Sequence, residues 1–236
     1  MSLTLKLALS PLLVAQAVAT RRRLPTLPEA EGERSGVAGR GRPLKLLIAG
    51  DSSAAGVGVV TQRQALAGQL VARLGRRLRV QWQLHARSGL TTRQTFDLLR
   101  DLPAEHADVA VLVTGVNDVV DQVPSMHAIA AREALVNLLR NGWGVHHVVF
   151  APLPPIHHFP GLPQPLRWVA GSDAERHNRA LLEWAATRRD TSVVAMRVPL
   201  NRGTMAHDGF HPGETVYRYC GIAIADHLLV LRDAVG

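Results

Sequence analysis

From Leu44 onward, short apolar runs alternate with longer amphipathic stretches, and this alternation constrains the fold more than any other feature of the chain. The short runs read as buried strands at residues 44–49, 80–84, 109–113, 147–150 and 193–198. The longer stretches repeat apolar residues at intervals of three and four, which predicts helices near 62–77, 91–101, 125–141, 173–188 and 213–233. Because parallel neighbours need crossover connections, the prediction is an α/β fold with a parallel sheet covered on both faces.

The length of the chain suits a single domain. Its 236 residues, of which 47% are hydrophobic and 19% are charged, are enough for one well-buried α/β domain. The chain is short for two such domains. We expect an N-terminal apolar and basic extension with a linker over residues 1–42, and one catalytic domain over residues 43–236. Prolines and glycines in residues 24–42 predict that this part is flexible.

The first residues of the chain permit more than one interpretation. Leu3 to Ala19 is mostly apolar, and Ala17-Val18-Ala19 resembles a signal-peptidase site. Three arginines follow directly, however, and charge in this place favours the cytoplasmic side. The stretch is also at or below the length that spans a bilayer. We therefore expect an amphipathic helix on the domain or on a membrane surface, with membrane contact through residues 3–23. The protein would then be cytoplasmic or peripheral to the inner face of a membrane, and the alternative is export with cleavage near Ala19.

Charge and cysteine content exclude some functional classes. Half of the net charge of +8 lies in residues 1–42, where seven Lys or Arg face three Glu. Since no recognition motif accompanies this charge, it does not predict a nucleic-acid partner. The single cysteine, Cys220, excludes an intramolecular disulfide, and its apolar surroundings predict a core position. Nothing in the sequence fixes an oligomeric state.

Four short polar motifs occur in a fixed order along the chain. They are Gly50-Asp51-Ser52, Ser88-Gly89, Gly115-Val116-Asn117-Asp118 and Asp208-Gly209-Phe210-His211. The first three follow predicted strands, and in parallel sheets ligands bind at the carboxyl ends of the strands. We therefore expect these three motifs to meet at one edge of the sheet.

The motifs together provide the groups that acyl transfer requires. Ser52, at a strand-to-helix turn, is the candidate nucleophile. Asp208 and His211 are three residues apart, so a turn can make them the orienting carboxylate and the general base. The N–H groups of Ser52 and Gly89 and the side-chain amide of Asn117 are candidate donors to an oxyanion. Each motif alone is also typical of turns and helix caps, but their joint order predicts a serine hydrolase.

Two neighbouring residues are weaker candidates for the same roles. His207 adjoins Asp208 directly and is less able to receive its carboxylate, so we expect it to be a bystander. Ser53 is a rival hydroxyl beside Ser52. The pair His157-His158 lacks accompanying carboxylates or cysteines and predicts no metal site.

With these residues, the sequence resembles the SGNH, or GDSL-type, hydrolase family over roughly residues 44–215. The family is named for a Ser, a Gly, an Asn and a His, and the matching positions are Ser52, Gly89, Asn117 and His211. One departure is Ser53, where the family often has Leu. The resemblance implies a flavodoxin-like three-layer α/β/α fold, no metal or organic cofactor, and hydrolysis of small-molecule acyl esters through an acyl-enzyme.

The substrate is less constrained than the reaction. Acyl-thioesterases and lysophospholipases of the same family are alternatives, and a flavodoxin-like binding module is the non-enzyme alternative, although it would leave Asn117 without a task. Residues 152–171 contain six prolines and follow the fourth predicted strand. This stretch either forms an acyl pocket or is a rigid connection packed on the domain. Its candidate substrate-binding residues are Ile156, Phe159, Leu162 and Trp168.

Overall fold

The computed structural model describes residues 3–233, built around one six-stranded sheet. The strands are β1 (Ser35–Ala38), β2 (Arg42–Gly50), β3 (Leu78–Ala86), β4 (Val109–Val113), β5 (His147–Phe150) and β6 (Thr191–Val193). Their order across the sheet is β1-β3-β2-β4-β5-β6. Strands β2 to β6 are parallel, and β1 pairs antiparallel with β3. The predicted α/β class with a parallel sheet is therefore confirmed.

Helices cover both faces of this sheet. They are α1 (Leu3–Arg23), α2 (Ser52–Ala55), α3 (Leu66–Leu74), α4 (Thr92–Arg100), α5 (Val116–Val120), α6 (Ser125–Trp143), α7 (Leu166–Ala186) and α8 (Glu214–Asp233). Within residues 3–233, no helix has the length and apolar character needed to cross a bilayer.

The central strand β2 shows why its sequence is almost continuously apolar. Leu44, Leu46 and Ile48 point to one face, where they pack with side chains of α3 and α8. Leu47 and Ala49 point to the other face and pack with α4, α6 and α7. A parallel strand buried on both faces needs apolar residues at successive positions. The two cores make the three-layer arrangement.

The structure differs from the sequence-based expectation at both edges of the sheet. The composition of residues 24–42 predicts a flexible linker, but in the structure β1 pairs with β3, and Glu31 bridges to Thr61. The outer edge of β3 offers unpaired backbone groups, which even a short strand of low apolar content can satisfy. At the other edge, β6 ends at Val193 instead of residue 198, because its partner β5 ends at Phe150.

A third, smaller apolar cluster lies under the proline-rich connection, which we call the cap segment (residues 152–165). It joins residues of this segment to α5 and α7, and its buried members are Val119, Leu153, Ile156, Phe159, Leu162, Ala174 and Met205. Asn178 of α7 holds the start of the segment, since its side chain accepts from Leu153 N at 2.8 Å and donates to Leu153 O at 2.9 Å. The cap segment is therefore a packed part of the domain.

Candidate active site

Ser52 lies at the carboxyl end of the central strand, where β2 passes into α2. A Cβ atom at Gly50 would lie 2.0 Å from the carbonyl oxygen of Val113 in β4, so only glycine fits there. Asp51 N donates to that same oxygen at 3.1 Å. The Asp51 side chain accepts from Ser53 N at 2.9 Å and caps α2. The backbone on both sides of Ser52 is thus fixed.

Asp208 and His211 form a close hydrogen-bonded pair. Nδ1 of His211 lies 2.6 Å from Oδ2 of Asp208, and Oδ1 accepts from Phe210 N at 2.9 Å and His211 N at 3.0 Å. Burial opposes ionisation of Asp208, but these hydrogen bonds outweigh it and hold the pKa of its carboxyl below the ordinary value. A carboxylate at Nδ1 leaves Nε2 of the imidazole as the nitrogen that can exchange a proton with substrate. His207 is exposed.

The structure brings Ser52 and His211 to the walls of one pocket. A buried hydrogen bond also ties their supporting elements together. The hydroxyl of Tyr217, in α8, donates at 2.6 Å to the carbonyl oxygen of Val57, which lies two residues after the end of α2. The helix that follows His211 is therefore anchored to the turn that follows Ser52. Ser53 lines the same pocket, and its backbone N–H is engaged by Asp51.

The predicted oxyanion donors lie on neighbouring loops of this edge. Gly89 is exposed with φ +82°, and a Cβ there would meet no atom within 4 Å, so the loop borders open space. Nδ2 of Asn117 donates to Leu90 O at 3.0 Å, which holds its amide against the Gly89 loop. An amide carries two N–H donors, and this bond uses one of them.

Asp118 connects the two loops, and sequence reasoning did not predict this role. Its buried carboxylate accepts from the backbone N of Thr92 at 3.1 Å and from the Thr92 hydroxyl. The start of α5, which carries Asn117, is thereby tied to the start of α4. Beside it lies the buried guanidinium of Arg132, whose pKa burial lowers to about 10 despite the opposing charge of Asp118. The position directly after Asn117 was the one available sequence signal.

Glu29 is a second residue that sequence reasoning missed. Its carboxylate accepts from Ser88 N at 2.6 Å and Ser88 Oγ at 2.8 Å, and it pairs with Arg34. Burial would raise the pKa of Glu29, but the bonds from Ser88 and Arg34 lower it. The N-terminal segment therefore fixes the residue before Gly89. No sequence signal distinguishes Glu29 from nearby glutamates.

The pocket beside Ser52 and His211 is mainly apolar and has an empty volume of about 870 Å³, part of it open to solvent. Its walls near the site include Val116, Leu153, Phe159, Met196, Val198, Leu200, Met205 and Phe210. Cys220 also lines it, but burial raises the pKa of the thiol to about 12, so a thiolate nucleophile is disfavoured.

The four candidate substrate-binding residues occupy different places. Phe159 lines the pocket and meets the ring of Phe210 edge to face at 5.3 Å. Ile156 and Leu162 are buried in the cluster below the cap segment, and neither is among the pocket walls. Trp168 is 44% exposed on the first turn of α7 and is not a wall residue either. Among residues 3–233, no group of three or more His, Cys, Asp or Glu could hold a metal ion.

Comparisons with known proteins agree with the fold. The model of the GDSL-like lipase/acylhydrolase family matches residues 48–219. An acetylxylan esterase from Geobacillus stearothermophilus has a similar structure, with a TM-score of 0.57, 18% identity, and coverage of 80% of this chain and 94% of that one. A lipase from a goat rumen metagenome also has a similar structure, with a TM-score of 0.57, 18% identity, and coverage of 78% of this chain and 96% of that one.

A carbohydrate acetylesterase from Sinorhizobium meliloti is similar to the same extent, with a TM-score of 0.54, 18% identity, and coverage of 80% of this chain and 99% of that one. A comparison with curated proteins found no match. At these identities, the solved structures show that the fold is shared.

Proposed function

The chain belongs to the GDSL-like lipase/acylhydrolase family, and from this premise we propose that it is a serine esterase that hydrolyses carboxylic esters through an acyl-enzyme. The observation that carries the proposal is the 2.6 Å contact between Asp208 and His211 at a pocket that Ser52 also lines. This combination supplies a nucleophile and an oriented base at one place.

The proposed mechanism assigns each group one task. Ser52 Oγ attacks the ester carbonyl while Nε2 of His211 takes its proton, and Asp208 stabilises the imidazolium that forms. Charge develops on the carbonyl oxygen, which the N–H groups of Ser52 and Gly89 and the amide of Asn117 stabilise. His211 then protonates the leaving alcohol. Water, activated by the same base, hydrolyses the acyl-Ser52 bond and regenerates the enzyme.

Substitutions of the two reacting residues test this assignment. Ser52→Ala and His211→Ala should each lower turnover of a soluble aryl ester by roughly 10⁶-fold, because triad members act as a unit. The matched controls Ser53→Ala and His207→Ala should retain turnover within about threefold, since neither has a reacting role. Stopped assays on purified protein, with circular dichroism to verify folding, measure this. Organophosphate labelling at Ser53 or Cys220 would contradict the assignment.

The apolar lining of the pocket favours a substrate whose acyl group has several carbons. Each buried methylene contributes about 0.8 kcal/mol, or roughly fourfold in kcat/KM, until the pocket is full. A series of aryl esters from acetate to decanoate should therefore show kcat/KM rising beyond acetate. A maximum at acetate would instead favour a sugar acetylesterase. The same series as thioesters, and a lysophospholipid, distinguishes the acyl-thioesterase and lysophospholipase alternatives.

A further inference from the structure

Helix α1 lacks the single, inward-facing apolar side that a surface helix normally shows. Its domain-facing side presents Gln16 and Thr20: Thr20 is buried, and Gln16 donates to Gln164 O at 2.7 Å and accepts from Leu166 N at 3.1 Å. Its outer side presents Val14 and Val18, four residues apart, which are 63% and 46% exposed. Leu12, one turn before Gln16 and thus beside the domain-facing side, is 47% exposed. A helix packed on a soluble domain normally buries its apolar side.

Contact with an apolar environment would remove the exposed side chains of this outer face from water. Between residues 9 and 23, the large apolar side chains of α1 that are partly buried are Leu9 and Leu13, and the other three stay exposed. The helix has 21 residues but lacks the apolar character needed to cross a bilayer, and its other side is held against the domain. An apolar environment can therefore reach it from one side only, as at the surface of a membrane.

The charge at the end of α1 indicates which kind of apolar partner this face binds. The helix ends in Arg21, Arg22 and Arg23, all of them exposed. A second copy of the chain seated on this face with its helix parallel to α1 would bring two such clusters together, which their mutual repulsion opposes, and an antiparallel copy would leave both clusters without a partner of opposite charge. Anionic lipid headgroups instead attract arginines, whose aliphatic stems can lie along the apolar boundary. Charge complementarity thus favours an anionic lipid surface.

An exposed aromatic side chain lies next to the helix. Trp168 is 44% exposed on the first turn of α7, the turn whose Leu166 N is bound by Gln16. Tryptophan is enriched at membrane–water interfaces, where its ring is apolar and its N–H is wet. The part of α7 that α1 contacts therefore carries one large exposed apolar side chain.

We propose that α1 and Trp168 dock the protein on an anionic lipid surface. Val14 and Val18 enter the boundary between headgroups and acyl chains, and Arg21 and Arg22 contact lipid phosphates. This interaction goes beyond the ester hydrolysis proposed above and does not depend on it.

The docking face is also connected to the catalytic loop. Nη2 of Arg23 donates to Gly161 O at 3.2 Å, and Gly161 N donates to Gly209 O at 2.9 Å, between Asp208 and His211. Two hydrogen bonds therefore separate the docking helix from the loop that carries the general base. Docking through α1 therefore places the cap segment, which α1 contacts, on the lipid side of the molecule.

Co-sedimentation of the full-length chain with vesicles tests the proposal. The vesicles are phosphatidylcholine alone or phosphatidylcholine with about one quarter phosphatidylglycerol, a strongly anionic surface. One variant removes apolar character (Val14→Ser with Val18→Ser) and another removes charge (Arg21→Gln with Arg22→Gln). The matched controls lie elsewhere on the surface and are Val60→Ser with Val230→Ser, and Arg76→Gln with Arg77→Gln.

The wild-type chain and Ser52→Ala should bind the anionic vesicles equally, and binding to neutral vesicles should be much weaker. Each α1 variant should lower the partition coefficient by about tenfold or more, and the controls should stay within about twofold. All variants except Ser52→Ala should hydrolyse a soluble aryl ester as the wild type does. Should Ser52→Ala keep both its binding and its turnover, the catalytic proposal fails while the docking proposal stands.

Four results would overturn docking. The first is wild-type protein that does not bind anionic vesicles, and the second is unchanged binding by Val14→Ser with Val18→Ser. The third is a concentration-dependent dimer in size-exclusion chromatography that this variant abolishes, which would make a second copy the occupant. Loss of aryl ester hydrolysis in the variant would also overturn it, because the exposed face would then support the fold.

Discussion

At the scale of single residues, Asp51 and Asp208 show how hydrogen bonds decide the state of a buried carboxyl. Both are buried, but Asp208 accepts from one imidazole and two backbone N–H groups, and its pKa is lowered. Burial raises the pKa of Asp51 to about 7, since the bond from Ser53 N and the attraction of His211 compensate only in part, and Asp118 opposes them. The number of donors therefore keeps Asp208 an anion and Asp51 half protonated near neutral pH.

Replacing Asp51 should change how stability depends on pH. Below the ordinary pKa of about 3.9 the carboxyl is protonated in both states and has no effect. Between that value and about 7 the unfolded chain ionises first, so ionisation increasingly favours unfolding. Asp51→Asn, which keeps a good helix cap, should thus raise the free energy of unfolding by about 2–4 kcal/mol at pH 8 and by almost nothing at pH 4.

Urea denaturation at pH 4, 6 and 8 measures this difference. The control is Asp121→Asn on the exposed surface, which should show no such trend. Equal stability of Asp51→Asn and wild type at pH 8 would mean that the ionised carboxylate at position 51 costs nothing.

The sequence predicted residues whose signals are local. Ser52, Gly89 and Asn117 each follow a strand, and the spacing of Asp208 and His211 allows the bond that the structure contains. As catalytic residues they stay predictions until the substitutions are made. Glu29 and the function of Asp118 escaped prediction because their partners, Ser88 and Thr92, are distant in sequence. Hydrogen bonds between remote segments leave no periodicity.

At the scale of elements, the N-terminal segment has two parts that contact the domain differently. Helix α1 rests on the cap segment and α7 through a few polar contacts. Residues 29–38 are integral to the domain, because β1 completes the sheet edge, Ala30 is buried, and Glu29 holds Ser88. We therefore expect only the first part to be dispensable for the core.

Two truncations should therefore behave differently. Deleting residues 1–24 should leave a folded chain whose turnover of a soluble aryl ester stays within about threefold of wild type, because the removed contacts are exposed and weak. Deleting residues 1–42 should cause aggregation or loss of turnover, since the edge of β3 becomes unpaired and Ser88 loses Glu29. Solubility, thermal unfolding and turnover measure the difference.

The point variant Glu29→Gln separates the two effects of the longer deletion. It keeps β1 and should lower turnover while the chain remains soluble, because Ser88 and the Gly89 loop lose a charged acceptor. If the chain without residues 1–42 is as stable and active as the chain without residues 1–24, the sheet edge and Glu29 are both dispensable.

At the scale of the whole molecule, apolar runs buried on both faces were predictable and edges were not. Strands β2, β4 and β5 are recognisable because both cores contact them, and β3 is recognisable because its buried apolar residues all face the first core. The four residues of β1, largely exposed, have no apolar alternation, so its formation depends on the backbone of β3. The pocket walls come from the turn at Ser52, the cap segment, residues 196–212 and α8, among others, and this convergence depends on the complete tertiary fold.

The order of strands in the sheet also determines when a newly made chain could become active. Strands β3 and β4 pair on either side of β2, and β5 and β6 then add in the order in which the ribosome delivers them. Ser52 is synthesised early, whereas Asp208 and His211 follow the last strand and precede the final helix. With the proposed roles, a nascent or stalled chain holds a serine without its base. Unfinished copies would therefore hydrolyse no ester, and activity would begin only after the carboxyl-terminal helix has left the ribosome and packed.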